Sequence, residues 1–141
     1  MSTKKTSTSA FHLANIELVN ITLNISETFK PTNDYQFQVQ LESRLNEDSQ
    51  MVIVTNQVSV FNEENQPAVG ELIAKYWFDI SQDTSWFLKD KKTLSIIPEQ
   101  LQLSFNAIAL STTRGLLFSS FRGTLLHNAI LPVIDPVQFS K

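Results

Sequence analysis

Residues 34–43 read DYQFQVQLES, and this stretch decides the fold class. Tyr35, Phe37, Val39 and Leu41 alternate with Gln36, Gln38, Gln40 and Glu42. Successive side chains of a strand point to opposite faces, so a period of two places the apolar groups on one side and the polar groups on the other. This is the pattern of an antiparallel strand with one face on a core and one in water.

Strand-like segments flank it on both sides. Upstream, residues 11–29 carry Phe11, Leu13, Ile16, Leu18, Ile21, Leu23 and Ile25. The parity slips after Leu13 and again after Leu18, which predicts bulges or bends in a long strand. Downstream, the polar LNEDSQ turn leads into MVIVTNQVSVF, with Val52, Val54, Val58 and Val60 on one face and Met51, Ile53 and Phe61 on the other. NEENQP turns into VGELIAKYWFDI, where Leu72, Ala74, Tyr76, Phe78 and Ile80 oppose Ile73 and Trp77. Short connections predict an antiparallel meander.

From Pro98 the period lengthens. Pro98 with Glu99 marks a helix start, and Leu101, Phe105, Ile108, Leu117, Phe121 and Leu125 recur at spacings of three or four or their multiples. Gly115 is unfavourable in a helix interior by about 1 kcal/mol relative to Ala, so a kink, or a break into two helical pieces, is expected there. Gly123, behind Arg122, fits the left-handed position that ends a helix, and Pro132 and Pro136 keep the following chain extended. The fold class is therefore α+β: a four-stranded antiparallel sheet followed by a C-terminal helical segment. Residues 1–10 read as a disordered polar tail and 11–141 as one domain.

Chemistry is scarce. A net charge of −3, with basic residues clustered only at Lys4-Lys5 and at Lys89, Lys91 and Lys92, lacks a nucleic-acid footprint. The absence of cysteine removes disulfides and thiolate metal sites. His12 and His127 lack partners at ligand-like spacing, and neither a nucleophile elbow nor a phosphate loop occurs, so neither an enzyme nor a metal site is expected. No run reaches the roughly 18–20 apolar residues that span a bilayer, and no signal peptide is legible, which points to the cytoplasm.

The aromatic residues are harder to place in one interior. Trp77 falls opposite Tyr76 and Phe78, and Trp86 and Phe87 sit in a polar linker. Apolar groups on both faces of the third and fourth strands imply a second buried surface, either an oligomer interface or an apolar groove.

The chain resembles the SecB export chaperones and their SecB-like relatives over residues 11–136. The resemblance rests on the joint register of several residues: Phe11, Leu13, Ile16, Ile21 and Leu23 in the first strand, Glu71 and Phe78 in the fourth, then Asn106, Arg122-Gly123-Thr124 and Pro132-Val133. It implies a homotetramer, built as a dimer of dimers, that holds unfolded polypeptides in aromatic-lined grooves without a nucleotide or other cofactor. Candidate client-binding residues are Phe29, Phe61, Trp77, Trp86 and Phe87. Candidate contacts to a SecA-like partner, placed by the resemblance, are Asn20, Asn24, Glu63 and Glu64. Asn20 and Asn24 stand where the family carries acidic groups, which removes charge attraction for SecA. A residue near Leu110 replaces the family's helix proline, and the sequence stops at Lys141, short of the family's last helix. Two further readings stand beside export: a dedicated chaperone of a toxin–antitoxin system, and a small β protein that binds an apolar ligand.

Overall fold

A computed structural model describes residues 11–63, 66–82 and 97–139. The expected tail, Trp86, Phe87 and Glu64 lie outside the described residues. Four strands form one antiparallel sheet: β1 (His12–Leu23), β2 (Gln36–Asn46), β3 (Met51–Phe61) and β4 (Gly70–Asp79). Among the described residues one α-helix, α1 (Glu99–Phe121), follows, and a 3-10 turn spans Pro136–Phe139.

The strand order is β1-β4-β3-β2. Only β2, β3 and β4 make a meander; β1 lies beside β4, which corrects the expected simple order. Residues 24–35 form a connection long enough to cross from one sheet edge to the other, and parity alone does not distinguish the two arrangements. The anticipated bulges are present, as register shifts between Leu13 and Asn15 and between Leu18 and Asn20. β2 pairs with β3 through eleven consecutive partners with no shift.

One face of the sheet packs against α1. Val52, Val54, Val58 and Val60 of β3 and Leu72, Ala74, Tyr76 and Phe78 of β4 are fully buried there. The helix contributes Phe105, Ala109, Leu117 and Phe121. Phe105 stacks on Phe78 with ring centroids 4.6 Å apart, and Phe11 meets both edge-on at 4.8 and 6.0 Å. This trio ties the start of β1 and the N-terminal half of α1 to β4.

The helix is continuous, not the two pieces expected. Gly115 lies on its exposed face, with open space where a Cβ would stand. Thr113 and Leu117 on either side are buried, so packing of the opposite stripe outweighs the local propensity loss.

The helix ends as anticipated. Arg122 has φ −61° and ψ 131° and Gly123 has φ +80°, the angles of a type II turn, closed by the Thr124 N–H donating to the Phe121 carbonyl at 3.0 Å. The second central residue of that turn needs a positive φ, which glycine supplies without steric penalty. The turn folds the chain back so that Leu126 and Phe121 lie over Gly70. A Cβ at Gly70 would come within 2.7 Å of Leu126 Cδ1 and 3.0 Å of Phe121 Cζ, so this close approach requires glycine.

Two polar clusters interrupt the interface between sheet and helix. The Asn56 Nδ2 group donates to Thr113 Oγ1 at 2.7 Å, and Tyr76 Oη shares a 2.5 Å hydrogen bond with the same oxygen. Nearer the helix start, Gln102 Nε2 donates to Ser43 Oγ at 2.6 Å and to Asn106 Oδ1 at 2.8 Å. Asn56 Oδ1 is buried with no hydrogen-bond partner among the described residues.

Candidate polypeptide-binding edge

Three surface features of the described residues bear on function. The first is a row on β1. Leu13, Ile16, Leu18, Ile21 and Leu23 stand opposite Phe78, Tyr76, Ala74, Leu72 and Gly70, so they share the helix-facing side of the sheet. The helix does not reach them all: Ile16, Leu18, Ile21 and Leu23 remain 43, 43, 36 and 44% exposed.

The second feature runs along β2, the opposite edge. Tyr35, Phe37 and Val39 form one side of a cleft of about 570 Å³, and Pro132, Ile134 and Phe139 form the other. A neighbouring cleft of about 430 Å³ is lined by Val39, Leu41, Glu42 and Gln57, and Phe139 closes it as well. Phe37, Val39 and Leu41 are therefore half-buried, covered from one side by the core and open on the other. Among the described residues β2 has a strand partner on one side only.

The third is a cleft of about 470 Å³ at the end of the sheet, between the turn at residues 26–29 and the β3–β4 connection. Two hydrogen bonds hold its walls together: the Asn24 N–H donates to the Val69 carbonyl at 2.9 Å, and Asn62 Nδ2 donates to the Lys30 carbonyl at 3.3 Å.

The candidate residues distribute unevenly over these features. Phe29, Asn24 and Glu63 line the third cleft together. Phe61 and Trp77 lie on the sheet face away from α1, Phe61 opposite Gln36 and Trp77 opposite both Asn15 and Ile53. Asn20 is on that face too, opposite Ile73 and exposed. Trp77 is seven residues along β4 from Gly70, about 23 Å at strand rise, so it shares no groove with Phe29. On this outer face Ile53 is 9% exposed, with Trp77 as its direct neighbour across the strands, and Met51, Phe61, Ile73 and Trp77 are half-buried.

The β2 clefts were not foreseen from the sequence because part of their lining comes from residues 132–139, which carry no periodic signal. The usable signal was the alternation at residues 35–41 itself, once β2 is known to be an edge.

Electrostatics is muted around these clefts. Burial pushes the Tyr76 phenol above its ordinary range, opposed by its hydrogen bond to Thr113. Hydrogen bonds from Ser81, side chain and backbone, hold the Asp79 carboxyl below the usual carboxylate range, with a smaller contribution from His12 at 3.9 Å. Neither group lines a cleft. Among the described residues no cluster of three His, Cys, Asp or Glu side chains is arranged to hold a metal, and no helix is long and apolar enough to cross a membrane.

No protein-family model matches the sequence, and no curated protein matches it. The fold does have a solved counterpart, the Mycobacterium tuberculosis SecB-like chaperone Rv1957 in complex with a ChAD peptide from the Rv1956 HigA1 antitoxin. The two share 12% identity and superpose with a TM-score of 0.60, over 88% of this chain and 89% of that one. A four-stranded antiparallel sheet backed by one long helix, with its first strand carried to the far edge, is thus a SecB-like fold.

Proposed function

We propose that this chain is a SecB-like molecular chaperone that holds non-native polypeptides in extended form along the β2 edge. The observation that carries the reading is the coincidence of a strand edge that has no partner among the described residues with an apolar cleft and a second cleft of mixed polarity beside it. An extended segment laid there gains backbone hydrogen bonds from the edge and buries alternate side chains beside Phe37, Val39 and Leu41. Three large apolar side chains give about 5–9 kcal/mol of gross burial. Ordering the client offsets several kcal/mol of that, which leaves the reversible binding a holdase needs. Holding is mass action on the unfolded state and uses neither catalysis nor a cofactor.

Assembly belongs to the same proposal. The uncovered β1 row is apolar surface that a second copy would bury, which supports a homo-oligomer and, by resemblance, a tetramer. Among client classes, a dedicated role toward an antitoxin has more support than delivery to the Sec export machinery. The similar solved structure holds an antitoxin peptide, whereas Asn20 and Asn24 offer a SecA-like partner no charge. Action in the cytoplasm is part of the proposal. A small apolar ligand has less support, because the sheet is open and its clefts are grooves along an edge.

The test is suppression of aggregation of an unfolded model protein at stoichiometric amounts without nucleotide. Val39→Asp and Phe139→Asp are expected to abolish suppression while the circular dichroism of the chain is retained. A native chain that leaves aggregation unchanged overturns the proposal.

A further inference from the structure

A strand that pairs with β2 has two faces of its own. Residues pointing toward the helix side lie beside Phe37, Val39 and Leu41; those pointing the other way lie beside Gln36, Gln38 and Gln40. These glutamines are exposed, and each stands directly across from Phe61, Ser59 or Gln57 of β3. Side chains opposite one another on paired strands have Cβ atoms about 4.5–5.5 Å apart, close enough for an amide on β2 to bond a polar group on the newcomer.

The edge between Gln36 and Leu41 is also unusually unguarded. Natural sheets blunt their edges with charged residues, proline or bulges. β1 carries two bulges, whereas β2 carries none, and residues 36–41 contain no charged residue, proline or glycine. The result is an unbulged template whose outer row over residues 36–41 is built from amides, each able to donate and accept. An apolar client residue beside Gln36, Gln38 and Gln40 leaves the amides to solvent, and a charged one finds no opposite charge among these three; Glu42 and Arg44 continue the row beyond them. A glutamine, asparagine, serine or threonine completes a ladder of side-chain hydrogen bonds.

We infer that the β2 edge selects client segments in which apolar residues alternate with uncharged polar ones, the would-be amphipathic strands of unfolded proteins, over segments that are apolar throughout. This rests on the polypeptide-holding reading and adds a sequence rule to it: Gln36, Gln38 and Gln40 are the specificity-determining residues.

The experiment is fluorescence anisotropy on the full chain with two labelled synthetic peptides of equal composition. One alternates valine and glutamine; the other carries its valines and glutamines in two blocks. The alternating peptide is expected to bind about ten-fold tighter, the sum of three modest cross-strand pairs. A double variant, Gln38→Glu with Gln40→Glu, is expected to lose affinity for that peptide and to bind an alternating valine–lysine peptide more tightly than the native chain does. Equal binding of the alternating and block peptides overturns the inference while leaving the holdase reading intact, as does a double variant with unchanged preference. Failure of both peptides to bind overturns the holdase reading itself, and the inference with it.

Discussion

Replacing Leu18 and Ile21 together by aspartate is expected to break the assembly without unfolding the subunit. Four β1 side chains on the helix side are about two-fifths exposed: Ile16, Leu18, Ile21 and Leu23. Fully burying one such side chain is worth about 1.5–3 kcal/mol, so covering the exposed part of all four contributes roughly 2.5–5 kcal/mol per subunit. A two-fold contact doubles this to about 5–10 kcal/mol, comparable to the entropic cost of association. Leu18 and Ile21 account for about half of it. Their loss weakens a two-fold contact by roughly 2–5 kcal/mol even before the cost of burying carboxylates is added. About three-fifths of each side chain is covered within the subunit, so its own stability falls by roughly 2–4 kcal/mol, and circular dichroism checks that the variant is folded where its mass is read. Light scattering coupled to gel filtration reads the result directly: an oligomer for the native chain and a monomer for the double variant. A native chain that runs as a monomer, or a double variant that keeps the native mass, refutes the reasoning.

Gly70→Ala drives a methyl group into Leu126 and Phe121, and chemical denaturation is expected to show a loss of about 1–3 kcal/mol, the usual range for overpacking. Thr113→Val removes the hydroxyl that partners both Asn56 and Tyr76. Two buried polar groups are then unpaired, and the expected loss is about 2–5 kcal/mol by the same assay. The raised pKa of Tyr76 sets a sign for alkaline stability. The unfolded chain ionises this phenol near 10.0 while the folded chain resists, so this contribution is intact below that pH and is lost as pH rises above it. Denaturation midpoints measured on both sides of that pH should fall on the alkaline side, and less steeply in Tyr76→Phe.

Much of the architecture was legible because period and parity are local signals. The alternation at Tyr35, Phe37, Val39 and Leu41 marked β2, and the slips after Leu13 and Leu18 marked both bulges of β1. Gly123 marked the helix end because a positive φ there leaves few alternatives. The continuity of α1 was not legible: the local propensity at Gly115 speaks for a break, and the burial of Thr113, Leu117 and Phe121 that overrides it is a tertiary fact. Strand order was hidden for the same reason, since the alternation in β1 fits a neighbour on either edge. Apolar residues at Ile53 and Trp77 suggested surplus surface on the outer face of β3 and β4, where the two lie side by side across the strands. The uncovered apolar row on β1 and the clefts beside β2 lie at the two edges, which only the assembled sheet defines.

Hydrogen exchange of the native chain, alone and with an unfolded client protein, tests the polypeptide-holding edge most directly. Slowed exchange of amides within Gln36–Asn46, with the amides that join β1 to β4 unchanged, is the predicted result. Protection confined to β1 or to the strands around Trp77, with β2 exchanging as before, contradicts the account.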